Sequence, residues 1–269
     1  MGSHLLGWLA VALYAGAEAL SIGSLMRPRA ALSRAVPGLI AGGLALHFAD
    51  LMRRAHEISS VPYSTLGGSV SFFGWMLGIS YLALALRHRE QAMGPFLIPF
   101  VVIATVAGLL LPDAARLPRQ GLHGSVFAFH VTLAILAYAA FTFSFVLSML
   151  YLVQNRQIRR ATTGLLFARL PALDVIGRMN RTSVTIGVAA LVLSLGLGIF
   201  WAERVWPTLA DPKIAWAGIT LVVYGFLLWM DRRGWAGPRV AVLSIFGFGV
   251  VLFSYTVVNL YFSQAHSFR

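Results

Sequence analysis

The feature that most constrains this chain is a succession of eight apolar runs, at approximately 5–25, 36–52, 66–86, 95–112, 126–153, 183–201, 214–230 and 239–262. The hydrocarbon core of a bilayer is about 30 Å thick, and roughly 20 apolar residues in an α-helix cross it. Only a helix of that kind satisfies its backbone hydrogen bonds within one segment while surrounded by lipid. The sequence therefore predicts an all-α, polytopic membrane helix bundle of about eight transmembrane helices. No low-complexity linker or soluble domain separates the runs and no internal repeat stands out, so residues 1–269 read as one integral-membrane domain. The fourth run is short and holds Pro99, which predicts a kink. No basic leader with a small-residue cleavage site precedes the first run, which reads as a retained span.

Composition agrees, with 58% hydrophobic and only 11% charged residues. A net charge of +12 in a soluble protein would suggest nucleic acid. Here the arginines sit in short clusters between apolar runs, where they act as topology signals and lipid-headgroup contacts, and no basic stripe with interleaved aromatics forms. The connections after runs one, three, five and seven carry fourteen of the 21 Lys and Arg; the other connections and the C-terminal tail carry seven. Because positive loops stay in the cytoplasm, both termini are expected outside it, in a multi-pass protein of a bacterial inner membrane.

That topology gathers particular residues at the extracytoplasmic face. Trp201, Trp206 and Trp216 border the stretch WAERVWPTLADPKIAW, with Asp211, Pro212 and Lys213 between the second and third rings. An interfacial belt accounts for such tryptophans. Three flat rings so close in sequence also suit a groove for a planar aromatic ligand. Glu203, Arg204, Asp211 and Lys213 can equally pair with one another at the surface. His130, at the start of the fifth run, and His266, at the end of the eighth, fall at the same depth. Single interfacial histidines are mostly solvated or capping, but a haem iron takes one axial ligand on each face and imidazole is a common choice. His123, seven residues before His130, is a reserve ligand.

Within the membrane, His47 stands beside Asp50 in LALHFADLMRR. An ionisable side chain at that depth is costly and faces the bundle interior, either as a functional group or as a neutral histidine hydrogen-bonded across helices. Asp50 is placed to pair with Arg53 or Arg54, and Glu18 in the first run has no partner legible in sequence. Residues 155–181 mix Leu165, Leu166, Phe167 and Leu170 with arginines and read as a cytoplasmic amphipathic segment lying at the interface. Cysteine is absent, which excludes disulfides, thiolate metal ligation and covalent haem attachment to this chain. No HExxH, GxSxG, P-loop or paired carboxylates are present, so the chain does not read as an enzyme.

LPALDVIGRMN (170–180), GLGIFWAERVW (196–206), ADPKIAW (210–216) and ITLVVYGFLLW (219–229), with HVTLAILAYAAFTFSFVLSMLYL (130–152) and VNLYFSQAHSF (258–268), resemble the tryptophan-rich core of the cytochrome c assembly family, which includes CcsA-type, HemX-like and YpjD-like membrane proteins. The resemblance is continuous over the C-terminal half and looser before it. It implies an extracytoplasmic haem-binding surface built from Trp201, Trp206, Asp211 and Trp216, with His130 and His266 as axial ligands to a non-covalent, b-type haem. Where members carry an intramembrane histidine, this chain has Trp229, and His47 is the residue left to stand in for it. The implied role is haem handling in cytochrome c biogenesis, haem transport or regulation of haem synthesis, with an assembly partner or a haem-synthesis enzyme. The alternative is an accessory subunit of the same fold that binds no haem and assists another membrane protein or an ion transporter.

Overall fold

The computed structural model describes residues 4–27, 30–111, 124–161, 164, 168–205 and 212–253, with the backbone alone at 30, 202–205, 212 and 213. Eight helices account for nearly all of these. They are α1 (Leu5–Met26), α2 (Ala30–Glu57), α3 (Leu66–His88), α4 (Gly94–Leu110), α5 (Ser125–Arg159), α6 (Leu173–Val205), α7 (Pro212–Arg232) and α8 (Gly237–Phe253). The described part of each apolar run falls within one of them, apart from Leu111 at the end of the fourth, as backbone self-satisfaction in lipid requires. Six are long and apolar enough to cross a membrane, and α4 and α8, at 17 residues each, are shorter apolar helices. The protein is a multi-pass membrane helix bundle.

Local signals set the helix ends. Thr65 caps α3, its hydroxyl accepting from the Gly68 amide at 2.9 Å. Pro95 and Pro212 sit in first turns, where the missing N–H costs nothing. Past α7 the Gly234 amide bonds to the Asp231 carbonyl and the Trp235 amide to Met230, the two bonds of a Schellman ending. That ending needs a left-handed residue, and Gly234 has φ 75°. Pro99 lies inside α4, which continues through it as one helix.

The helices form two compact units. In the first, α1 to α4 close a ring in which α1 packs on α2 and α4, and α3 packs on α2 and α4. Its centre holds Tyr14, Ile40, Leu51, Leu77, Tyr81 and Leu97, all essentially inaccessible. In the second, α5 packs on α6 and α8, and α7 on the same two. There Phe141 and Tyr224 stack with ring centroids 3.8 Å apart and planes 8° from parallel.

Two helices are much longer than a membrane requires. At 35 and 33 residues, α5 and α6 run roughly 50 Å at 1.5 Å per residue, well beyond a core of about 30 Å. They take up both ends of the stretch read as an interfacial segment: residues 155–159 continue α5 and residues from Leu173 open α6. Leu165, Leu166 and Phe167 lie outside the described residues.

Candidate functional site

His130 stands on α5 about a turn and a half from its start, facing α6. Its Nδ1 lies 2.7 Å from the Ser194 carbonyl oxygen. A carbonyl only accepts, so Nδ1 carries a proton, which in a neutral imidazole puts the lone pair on Nε2. Ser194 completes a reciprocal pair, its hydroxyl donating to the His130 carbonyl at 2.9 Å and lying 3.2 Å from Nδ1. The ring rests on Gly198, where an added Cβ would meet Cε1 at 2.6 Å and Nδ1 at 2.7 Å. Only glycine admits the imidazole at this height on α6.

Trp201 follows one turn after Gly198 on the same helix, and is only 7% exposed. Phe127, one turn before His130 on α5, has its ring 5.0 Å from that of Trp201 and 6.5 Å from the imidazole. Phe127 thus lies between His130 and Trp201. The setting of the tryptophans differs from a loop. Helix α6 runs to Val205 and α7 begins at Pro212, so Trp201 and Trp216 are helical residues. Trp216 packs against Phe253 of α8, centroids 4.8 Å apart and planes at 52°. Trp206, Asp211 and His266 lie outside the described residues, as does His123.

Ser194 and Phe127 were not singled out in the sequence. The signal was present, because Ser194 and Gly198 precede Trp201 by seven and three residues and share its helix face. Phe127 and His130 are related in the same way.

His47 belongs to the first unit and is fully buried on α2. Its Nε2 lies 2.9 Å from the Ser71 hydroxyl of α3, and its Nδ1 3.4 Å from the Tyr14 hydroxyl of α1. Both ring nitrogens are therefore engaged across helices. One turn on, Asp50 is also fully buried and accepts from Arg53 at 3.0 Å and Arg54 at 2.9 Å. Arg54 in turn donates to the Gly108 carbonyl at 3.3 Å, tying α2 to α4. Glu18 has one buried carboxyl oxygen without a hydrogen-bond partner among the described residues. Trp229 is 48% exposed on α7, stacked on Phe226 and covered by the Arg233 guanidinium.

Among the described residues no three His, Asp or Glu side chains gather as a cation site would need. An iron already held by a porphyrin asks less of the protein, one or two axial donors and flat apolar walls. An oriented imidazole beside Phe127 and Trp201 is a donor set of that kind.

Fold and site together define a multi-pass membrane protein with an oriented histidine set among aromatic rings at one end of a four-helix unit. The family profile described as cytochrome C assembly protein matches residues 63–266, and the chain belongs to that family. It is similar to the cytochrome c biogenesis protein CcsA of Prochlorococcus marinus (strain MIT 9312), 30% identical over 236 residues and covering 77% of this chain and 75% of the relative. It is also similar to Protein HemX of Brevibacillus brevis, 29% identical over 230 residues and covering 84% and 83%. A third relative is CcsA of Heterosigma akashiwo, 25% identical over 259 residues. The matched region contains His130, Trp201, Trp206, Asp211, Trp216 and His266, whereas His47 precedes it.

Proposed function

We propose that this chain binds haem at the extracytoplasmic face of a bacterial inner membrane and passes it on during cytochrome c maturation. His130 and His266 serve as axial ligands, and Trp201, Trp206, Asp211 and Trp216 line the haem. The haem is cargo held without a covalent bond, since the chain has no cysteine. The observation that carries this reading is the His130–Ser194 pair. A histidine that ligates metal donates its other ring N–H to a fixed acceptor, which sets the tautomer and raises the donor strength of the ligating nitrogen. His130 is held in that way, through Nδ1, which leaves Nε2 as the ring nitrogen that would ligate.

The orientation rests on the arginine distribution, and the process on family membership and on relatives named for cytochrome c biogenesis. His47, with both nitrogens engaged, is assigned to holding α1, α2 and α3 together. A second reading, regulation of haem synthesis through contact with a haem-synthesis enzyme, is favoured by the near full-length similarity to Protein HemX.

The test is the absorption spectrum of protein purified from haem-replete cells. A Soret band that is lost in the His130→Ala, His266→Ala double variant and restored by added imidazole supports axial ligation. No Soret band, no haem uptake, and a double variant identical to wild type would sink the proposal and leave the accessory-subunit reading.

A further inference from the structure

We infer that the second unit encloses a water-filled vestibule, entered at the Arg181–Asp231 ion pair and reaching past Asn180 to the buried hydroxyls of Ser148, Ser183 and Tyr224. Its ligand is water, which it carries from the arginine-rich end of the unit toward the level of the Phe141–Tyr224 stack. This lies beyond the haem reading and does not rest on it.

Three observations converge. The first is a cavity of about 40 Å³ lined by Tyr151, Gly177, Asn180, Arg181, Asp231 and Gly237 among others. That is room for a water molecule and more, and the lining offers a phenol, an amide and a charged pair to hold it. Glycine keeps the space open: a Cβ at position 237 would stand 2.0 Å from the Tyr151 hydroxyl. Across the mouth, the Arg181 guanidinium reaches from α6 to both carboxylate oxygens of Asp231 on α7. The arginine is 53% exposed and the aspartate 18%, so the pair sits at the surface with the cavity beneath it.

The second observation is a polar knot at the cavity floor. Asn180 lines the cavity and accepts, through Oδ1, a hydrogen bond from the Ser144 hydroxyl at 2.6 Å. Ser144 also lies 2.5 Å from the Ser244 hydroxyl, so α5, α6 and α8 meet there. Between positions 151 and 144 helix α5 descends roughly 10 Å, and between 237 and 244 helix α8 descends the same amount. The cavity and the knot are therefore two levels of one polar seam.

The third is that three hydroxyls around the knot, of Ser148, Ser183 and Tyr224, are buried and have no hydrogen-bond partner among the described residues. Ser148 is one turn from Ser144 on α5, toward the cavity, and Ser183 is one turn deeper than Asn180 on α6. The Tyr224 ring lies against Gly247, one turn past Ser244 on α8. In a membrane interior such groups are retained when something pairs with them, and buried water is the usual agent. Each orphan adjoins a member of the knot, which adjoins the cavity.

The absence of native cysteine makes the test direct. Ser148→Cys and Ser183→Cys are treated with hydrogen peroxide, an oxidant close to water in size that converts a thiolate to a sulfenic acid, in folded, detergent-purified protein, beside Val192→Cys, which is 48% exposed on an apolar face of α6. A thiol reached by water ionises and reacts, and each unit of pKa is a factor of ten in thiolate, so both should react at least about tenfold faster than the control. Asp231→Asn should raise the Ser148→Cys rate further by freeing the mouth. Equal rates at all three cysteines overturn the vestibule, and an unchanged rate in Asp231→Asn overturns the ion pair as its gate. Unsubstituted protein supplies a second reading through hydroxyl-radical footprinting. Tyr224 should oxidise faster than Tyr14, which is equally buried but bonded to His47. Equal oxidation of the two overturns the inference independently of the cysteine variants.

Discussion

Gly198→Ala is the substitution that reports most directly on the His130 site. The new Cβ would stand 2.6 Å from Cε1 and 2.7 Å from Nδ1 of His130, where ordinary contact begins near 3.4 Å. The ring must retreat by about 0.8 Å, and the 2.7 Å bond from Nδ1 to Ser194 then stretches toward about 3.5 Å, too long to hold the imidazole. Overpacking of this size costs about 1–3 kcal/mol. Loss of an outer-sphere partner to a metal-binding histidine lowers affinity about 10–100-fold, which is about 1.4–2.7 kcal/mol and of the same order. Gly196→Ala is the matched control, since a Cβ there meets nothing within 4 Å. Titration of haem into both variants, followed at the Soret band, should show weakened binding for Gly198→Ala and wild-type binding for Gly196→Ala. Wild-type haem affinity in Gly198→Ala would refute the claim that the ring's orientation matters.

Two further substitutions test the scaffold. Asp50→Ala leaves the 4%-exposed Arg54 without its carboxylate, and thermal unfolding in detergent should show a loss of about 3–5 kcal/mol, with Asp50→Asn milder; an unchanged midpoint would mean water already solvates the pair. Gly234→Ala forces a Cβ into a backbone at φ 75° and should cost about 1 kcal/mol, while Gly234→Asn, which tolerates the left-handed region, should recover most of it; equal effects of the two would rule out backbone strain as the cause.

Sequence alone determined the eight helices and their approximate limits, because lipid leaves the backbone no partner but itself and the apolar runs mark where that condition holds. It placed His130 beside Trp201 at one end of the bundle, since both lie at ends of consecutive antiparallel runs. It also offered both arginine partners of Asp50, which are local, within one helical turn. What only the tertiary structure decided is azimuth and register. The bond from His130 to Ser194 joins residues 64 apart, and His47 meets Tyr14 and Ser71 from 33 and 24 residues away. Hydropathy does not encode how two packed helices are rotated, and a rotation of one residue, about 100°, would have turned His130 away from α6. The same rotation decides that Trp201 is a buried wedge against Phe127 while Trp229 faces outward under Arg233. Helix packing settles these matters through small residues that let a ring approach, such as Gly198, and their importance shows only when the neighbouring helix is in place.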